Sequence, residues 1–187
     1  MSALGEASPA ERHRIVAAGF AREAAATADW TAQTPVPEWD ARDVVAHLVE
    51  WFPSFMAAGD VVLPAVTADD PVDAWAQQTA SVQALLDGDG AGRDFTHPYV
   101  GTSPLRDAVD RFYTADVFMH TWDLAQANGR RPDLDRGFAA ELLAGLGSME
   151  EVLRSSGQYG PARQAPTDAD PVVALAAFIG RDPEFAR

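Results

Sequence analysis

The sequence of 187 residues carries 28 acidic and 14 basic side chains, a net charge of −14, and no cysteine. This acidity argues against a nucleic-acid partner, because binding phosphates requires a basic surface. The lack of cysteine excludes disulfides, thiolate metal sites and cysteine nucleophiles, so a bound metal would need nitrogen and oxygen ligands. With 47% hydrophobic residues the chain can bury a core, and we expect one domain spanning residues 1–187.

The sequence also bears on where the protein works. Its N-terminal segment lacks the basic-then-apolar pattern of a signal peptide. Charged residues interrupt each apolar stretch before the roughly 20 residues that a membrane span requires. We therefore expect a cytoplasmic protein without a membrane partner. No exposed apolar helix face is evident from the pattern, and both a monomer and a homodimer stay open.

The first half of the chain reads as three helices. An alanine-rich segment predicts a helix over 9–29, and the two prolines of TPVPEWD then form a turn. Asp40 is an N-cap for a second helix over 41–58, which Pro53 should kink or end early. The apolar stripe of this helix consists of Val44, Leu48, Trp51 and Phe55. An Asp-Pro start predicts a third helix over 71–86.

The second half continues in the same way after a glycine-rich segment, 87–104, that predicts a loop. A Ser-Pro start predicts a fourth helix that runs from 103 to the Asn-Gly stop at 128–129. A fifth helix is expected over 135–153, then a loop over 157–171 and a short helix over 171–179. Strand-type alternation is nearly absent. The predicted fold class is all-α: a four-helix bundle with additional short helical and loop segments.

The fourth helix holds polar residues where its pattern asks for leucine. Its apolar row is Leu105, Val109 and Phe112, with Tyr113 alongside. Helical spacing extends this row to Asp116 and His120. Burying an ionised carboxylate without a partner is costly, and residues spaced i, i+4 point the same way. Either the two form a simple intrahelical ion pair, or they share a function.

His47 is a similar intrusion at the edge of the second helix's apolar stripe. Taken alone, such a histidine is more often a hydrogen-bonded structural residue than a ligand. If the second and fourth helices pack together, however, His47, Asp116 and His120 form a facial triad that leaves metal positions open for water or substrate. Nitrogen and oxygen ligands suit several divalent ions, of which we expect zinc first, with nickel, iron or manganese as alternatives.

Other residues have two interpretations each. Asp43 either orients the second nitrogen of His47 or places charge at a helix N-terminus. Asp123 either serves His120 in that way or caps a neighbouring segment. His97, in the glycine-rich loop, is either a general base or an exposed surface histidine. Arg42, Arg106 and Arg111 either bind an anionic substrate or pair with acids. Trp51 and Trp122 are expected in the core and His13 at the surface.

Two segments of the chain resemble a known family. WDARDVVAHL (39–48) resembles the W-x-x-R-D-V-x-x-H-L signature of the mycothiol-dependent maleylpyruvate isomerase metal-binding domain, within the DinB-like superfamily of four-helix bundles. ADVFMHTWDLAQANG (115–129) resembles the family's acidic-x-x-x-His-x-W-D-L-A block. The closing YGPA (159–162) and GRDP (180–183) segments resemble an actinobacterial-type subgroup of unknown function. The resemblance covers nearly the whole chain.

The resemblance implies a ligand set and a chemistry. In the family, the metal is bound by the histidine of the first block and by the acidic residue and histidine of the second, which here are His47, Asp116 and His120. The isomerase has glutamate where this chain has Asp116, so either the two helices must lie closer together or the coordination must be looser. The implied function is that of an isomerase or transferase that uses a metal and a thiol such as mycothiol on a small electrophile. A non-catalytic metal-binding or regulatory bundle and a metal-dependent hydrolase are the alternatives.

Overall fold

Four long helical segments lie side by side around the core. The computed structural model describes residues 3–148, 150–151 and 159–185. The first three long segments are α2 (Pro9–Ala25), α3 (Ala41–Ala57) and α4 (Pro71–Asp87), and a short α1 (Ala3–Glu6) precedes them. The fourth segment runs from 105 to 127. Both α2 and α3 pack against α4 and against this fourth segment, so the four close into a bundle. The predicted all-α four-helix bundle is confirmed.

The fourth segment changes its helical pitch part-way along. It consists of α5 (Leu105–Ala108), a π-helical turn (Val109–Thr114) and α6 (Ala115–Ala127). The wider turn rotates the following residues relative to the predicted row, so the fully buried positions are Val109, Tyr113 and Val117. Phe112 and Asp116 are turned to the edge of the bundle instead, where they line a cavity. Interruptions of this kind are frequent at functional sites.

Two further helices cover one end of the bundle. They are α7 (Arg136–Gly147), capped by Asp135, and α8 (Pro171–Phe178), capped by Asp170. The two pack against each other, and α7 also contacts α1. The predictions of helices over 135–153 and 171–179 are confirmed over α7 and α8, and residues 150–151 are helical as well. Of these predictions, residues 149 and 152–153 lie outside the described residues, as do 157–158 of the predicted loop.

The predicted loop over 87–104 is wrong in part. It contains a 3₁₀ turn (Asp89–Gly92) and an antiparallel hairpin of β1 (Asp94–His97) and β2 (Gly101–Pro104). Ser103 is therefore a strand residue opposite Phe95 rather than a helix cap. In β1 only two side chains, Phe95 and His97, point inward. An alternation of four residues is too short to stand out from a glycine-rich background.

One predicted helix end needs correction, and one predicted early end does not occur. The first helix ends at Ala25 rather than near 29, because the Glu23 carbonyl accepts hydrogen bonds from the Thr27 hydroxyl (2.9 Å) and the Asn128 amide (3.1 Å). These side chains take the place of the next helical amides. In the second helix Pro53 does not cause an early end, since α3 continues to Ala57. Among the described residues, no helix is long and apolar enough to cross a membrane.

The prediction that His13 lies at the surface is wrong. Its side chain is fully buried between α2 and α4, with Nδ1 2.9 Å from the Gln83 side-chain oxygen and the ring stacked near Tyr113. Burial lowers the pKa of His13 below its ordinary value of 6.5, although the bond to Gln83 opposes the shift. The residue is therefore held neutral inside the bundle.

His13 should make the fold sensitive to acid. Because the unfolded chain binds this proton more readily, the free energy of unfolding should fall as the pH drops below about 6.5. His13→Gln keeps a donor toward Gln83 but cannot titrate. Urea denaturation between pH 7.5 and 5.5, with a chelator present, should show the native chain losing up to about 1.4 kcal/mol more per pH unit than this variant. Parallel pH profiles for the two proteins would refute the assignment.

Candidate metal centre

Three side chains with metal-ligand chemistry meet where α3 and α6 pack together. His47 comes from α3, and Asp116 and His120 come from one face of α6. His47 Nε2 lies 3.0 Å from Asp116 Oδ2, and His120 Nε2 lies 3.5 Å from Asp116 Oδ1. One donor atom from each of the three lies within 4.8 Å of the other two. The structure thus brings the predicted triad together.

The donor set and its spacing fit a divalent ion. Two donors that each bind one zinc ion at about 2.1 Å, at tetrahedral angles, are about 3.4 Å apart. The observed separations of 3.0 and 3.5 Å lie on either side of this value. The shorter aspartate does reach His47, because α3 and α6 lie close enough. Within the described ranges, this is the one group of histidine and acidic side chains so arranged.

The Asp116 carboxylate is the negative centre of the site. Its Oδ2 accepts a hydrogen bond from Trp51 Nε1 (3.0 Å) in addition to its contact with His47. Burial acts to raise the pKa of Asp116, but the neighbouring His120 and the contacts with His47 and Trp51 outweigh it and lower that pKa. Asp116 is therefore an anion at neutral pH. Trp51, predicted for the core, is partly buried and packs against the core, and it also lines the cavity, so that prediction is confirmed only in part.

Trp39 covers both imidazoles of the triad. Its ring centroid lies 5.0 Å from that of His47 and 5.7 Å from that of His120. The backbone before it has a positive φ of 67° at Glu38, which favours glycine and costs a non-glycine residue about 1 kcal/mol. The Trp39 carbonyl accepts hydrogen bonds from Gln33 and Thr34, which hold this conformation. Trp39 had no predicted role, although it begins the first family-like block.

Asp123 lies behind His120, on the side away from the cavity. Its Oδ2 is 2.9 Å from His120 Nδ1, and the Arg181 guanidinium binds both of its oxygens. Burial acts to raise the pKa of Asp123, but the charge of Arg181 and the hydrogen bonds outweigh it and lower that pKa. Of the two interpretations of Asp123, the structure supports contact with His120 rather than capping. Arg181 was missed, since it lies 58 residues further along the chain.

A cavity of about 680 Å³ opens over the triad. This volume is within the range of about 300–1,000 Å³ that small-molecule sites occupy. Its wall is largely apolar, and five aromatic rings contribute to it: Trp39, Trp51, Phe55, Phe112 and Tyr159. Burial raises the pKa of Tyr159 to about 12, so its hydroxyl stays protonated. Three arginines, Arg111, Arg163 and Arg181, also line the cavity.

Of the other candidates, only Arg111 lines this cavity. Asp43 forms a reciprocal cap with Asp40, accepting from its amide at 2.9 Å, which is the helix N-terminal role. The interpretation of His97 as an exposed surface histidine is wrong, because its side chain is buried. It stacks on Phe55, with ring centroids 4.4 Å apart, and does not line the cavity. The prediction that Trp122 lies in the core is confirmed. Of the three arginines considered from the sequence, Arg42 is exposed, Arg106 is paired with Asp107, and Arg111 lines the cavity.

Comparison with known proteins identifies the family of the chain. Residues 11–125 match the family described as the mycothiol maleylpyruvate isomerase N-terminal domain. The chain belongs to this family. All three triad residues lie inside the match, whereas Arg181 lies beyond it.

The similar proteins have no described activity. Two proteins of Mycobacterium tuberculosis, from strains H37Rv and CDC 1551 and both described as uncharacterized, are each 30% identical to the chain over 161 residues. The aligned region covers 79% of this chain and 82% of each relative. No solved structure matches the chain significantly.

Metal content should depend on His47. His47→Ala removes one of two imidazole donors, so we expect elemental analysis to find about one ion per native chain and a strongly reduced content in the variant. His97→Gln is the matched control, because this buried histidine lies near Phe55 but outside the triad. Stoichiometric metal retained in His47→Ala would contradict the site.

Proposed function

We propose that the protein is a metal- and thiol-dependent isomerase or transferase that acts on a small electrophile. The divalent ion, zinc first and nickel, iron or manganese otherwise, would be held by His47, Asp116 and His120. The observation that carries the proposal is that all three donors border a cavity large enough for a ligand. Three protein ligands leave room for a further one, which is typical of catalytic rather than closed structural sites.

The thiol is a low-molecular-weight one such as mycothiol, the cofactor in the family's name. A divalent ion bound at the triad would supply Lewis-acid chemistry, lowering the pKa of a neighbouring thiol so that thiolate is present at neutral pH. The chain itself has no cysteine, so the sulfur must come from a second molecule.

The residues around the triad support this chemistry in three ways. Asp116 brings a full negative charge and is kept in place by Trp51. Trp39 covers the two imidazoles and so keeps bulk water from their faces. The aromatic wall offers an apolar surface to the electrophile, which makes a substrate with an aromatic or conjugated body the best fit.

Both reactions begin when the thiol loses its proton to solvent and its sulfur forms a bond to the electrophilic carbon. In a transfer, a leaving group then departs, or a conjugated double bond is saturated by sulfur and a proton from solvent. In an isomerisation, sulfur adds to a conjugated double bond, the resulting single bond rotates, and the thiolate departs, which restores the double bond. The site would contribute chiefly by holding the thiolate and the carbon together, since orientation alone lowers barriers by several kcal/mol.

A conjugation assay tests the proposal. Zinc-loaded protein is incubated with mycothiol and, in turn, chlorodinitrobenzene and a small aliphatic enone, and product is followed by mass spectrometry. We expect conjugation that requires both metal and thiol, with kcat/KM higher for the aromatic electrophile. Asp116→Asn should reduce the rate to background, whereas Asp43→Asn, one helical turn from His47 but outside the cavity, should leave it unchanged.

The outcomes separate the alternatives. Equal rates with and without metal would contradict the proposal. Ester hydrolysis that needs metal but no thiol would instead identify a hydrolase. Binding of metal without mycothiol binding or turnover, measured by calorimetry, would identify a non-catalytic module.

A further inference from the structure

His120 uses its two ring nitrogens in opposite directions. Nδ1 lies 2.9 Å from the Asp123 carboxylate, and Nε2 faces Asp116 and the cavity. A carboxylate can only accept a hydrogen bond, so Nδ1 carries the proton in neutral imidazole. The Nε2 lone pair is then directed to the place where the triad converges, as a metal ligand requires.

Asp123 is itself fixed on every side. Its side chain is fully buried in the bundle, and Arg181 donates to it three times: Nε to Oδ1 at 3.1 Å and to Oδ2 at 3.2 Å, and Nη2 to Oδ2 at 2.9 Å. Arg181 Nη1 donates to the Ile179 carbonyl at 3.0 Å. All three nitrogens of the guanidinium thus donate within the protein, two of them to the Asp123 carboxylate, and this planar arrangement permits little movement.

Arg181 is placed by a close backbone contact near the end of the chain. Gly180 has a φ of 95°, which side chains other than glycine rarely adopt. A Cβ on Gly180 would lie 3.2 Å from the backbone of Gly160. Ile179, Gly180 and Arg181 themselves line the cavity, so the segment that carries Arg181 forms part of its wall.

We propose that Asp123 and Arg181 are positioning residues of the metal centre: Arg181 immobilises the Asp123 carboxylate, which fixes the ring orientation and tautomer of His120. The proposal rests on the metal centre proposed above, and it makes the centre depend on a segment beyond residues 11–125 that match the family. Residues that hold a metal-bound histidine from behind affect metal affinity by about 10–100-fold when they are changed.

The test measures both tautomer and metal affinity in Asp123→Asn. In the metal-free native protein, nitrogen-15 NMR should show His120 protonated at Nδ1. In the variant the amide can donate to this nitrogen, and we expect a mixture of tautomers. Zinc affinity, measured by competition with a chelating dye, should weaken by about 10–100-fold.

The matched control is Asp110→Asn. Asp110 lies in the same helical segment as Asp123, is partly buried and also pairs with an arginine, Arg12 of α2. It lies away from the triad. It should lose thermal stability yet keep zinc affinity within about twofold. If Asp123→Asn fails to fold, Arg181→Lys provides the test, since it keeps the charge but loses the bidentate fork, and we expect weakened zinc binding there too.

The possible failures are distinct. Zinc affinity within twofold of native in a folded Asp123→Asn or Arg181→Lys protein would overturn the positioning role while leaving the metal centre intact. Protonation of His120 at Nε2 in the native protein would overturn it as well. No zinc binding by the native protein would contradict the metal centre itself, and this inference with it.

Discussion

A single carboxylate organises the centre of this bundle. Asp116 lies in the contact between α3 and α6, and its side chain is only 17% exposed. An isolated anion there would be costly, so the surrounding residues must compensate its charge. His47, Trp51 and His120 do so from three directions. The same requirement that stabilises the anion also brings two imidazoles to it, and this is the arrangement from which a metal centre can be formed.

Other elements position the residues of this contact between α3 and α6. The π-helical turn rotates Asp116 out of the core row and toward the cavity, where it can meet a ligand. The second carboxylate, Asp123, is compensated by Arg181 and holds His120 from behind. On α6, the imidazole of His120 therefore lies between two carboxylates, those of Asp116 and Asp123. The wall of the cavity above them combines apolar side chains with arginines.

The sequence predicted the bundle and the triad but not the surroundings of the triad. Helical periodicity and the two family-like blocks placed Asp116 and His120 on one face, because their spacing is local. Arg181 could not be found in this way, since it meets Asp123 across 58 residues with no local pattern. The same holds for His13, whose partner Gln83 lies 70 residues away. The hairpin over 94–104 was not predicted, because its strands have only four residues each.

The central claim is that His47, Asp116 and His120 bind one divalent ion that remains open toward the cavity. The most direct test is anomalous diffraction at the zinc absorption edge from crystals of the zinc-loaded protein. The account predicts one anomalous peak about 2.0–2.2 Å from His47 Nε2, an Asp116 carboxylate oxygen and His120 Nε2, with no fourth protein ligand. A peak bound elsewhere in the chain, or no peak at the triad at saturating zinc, would contradict it.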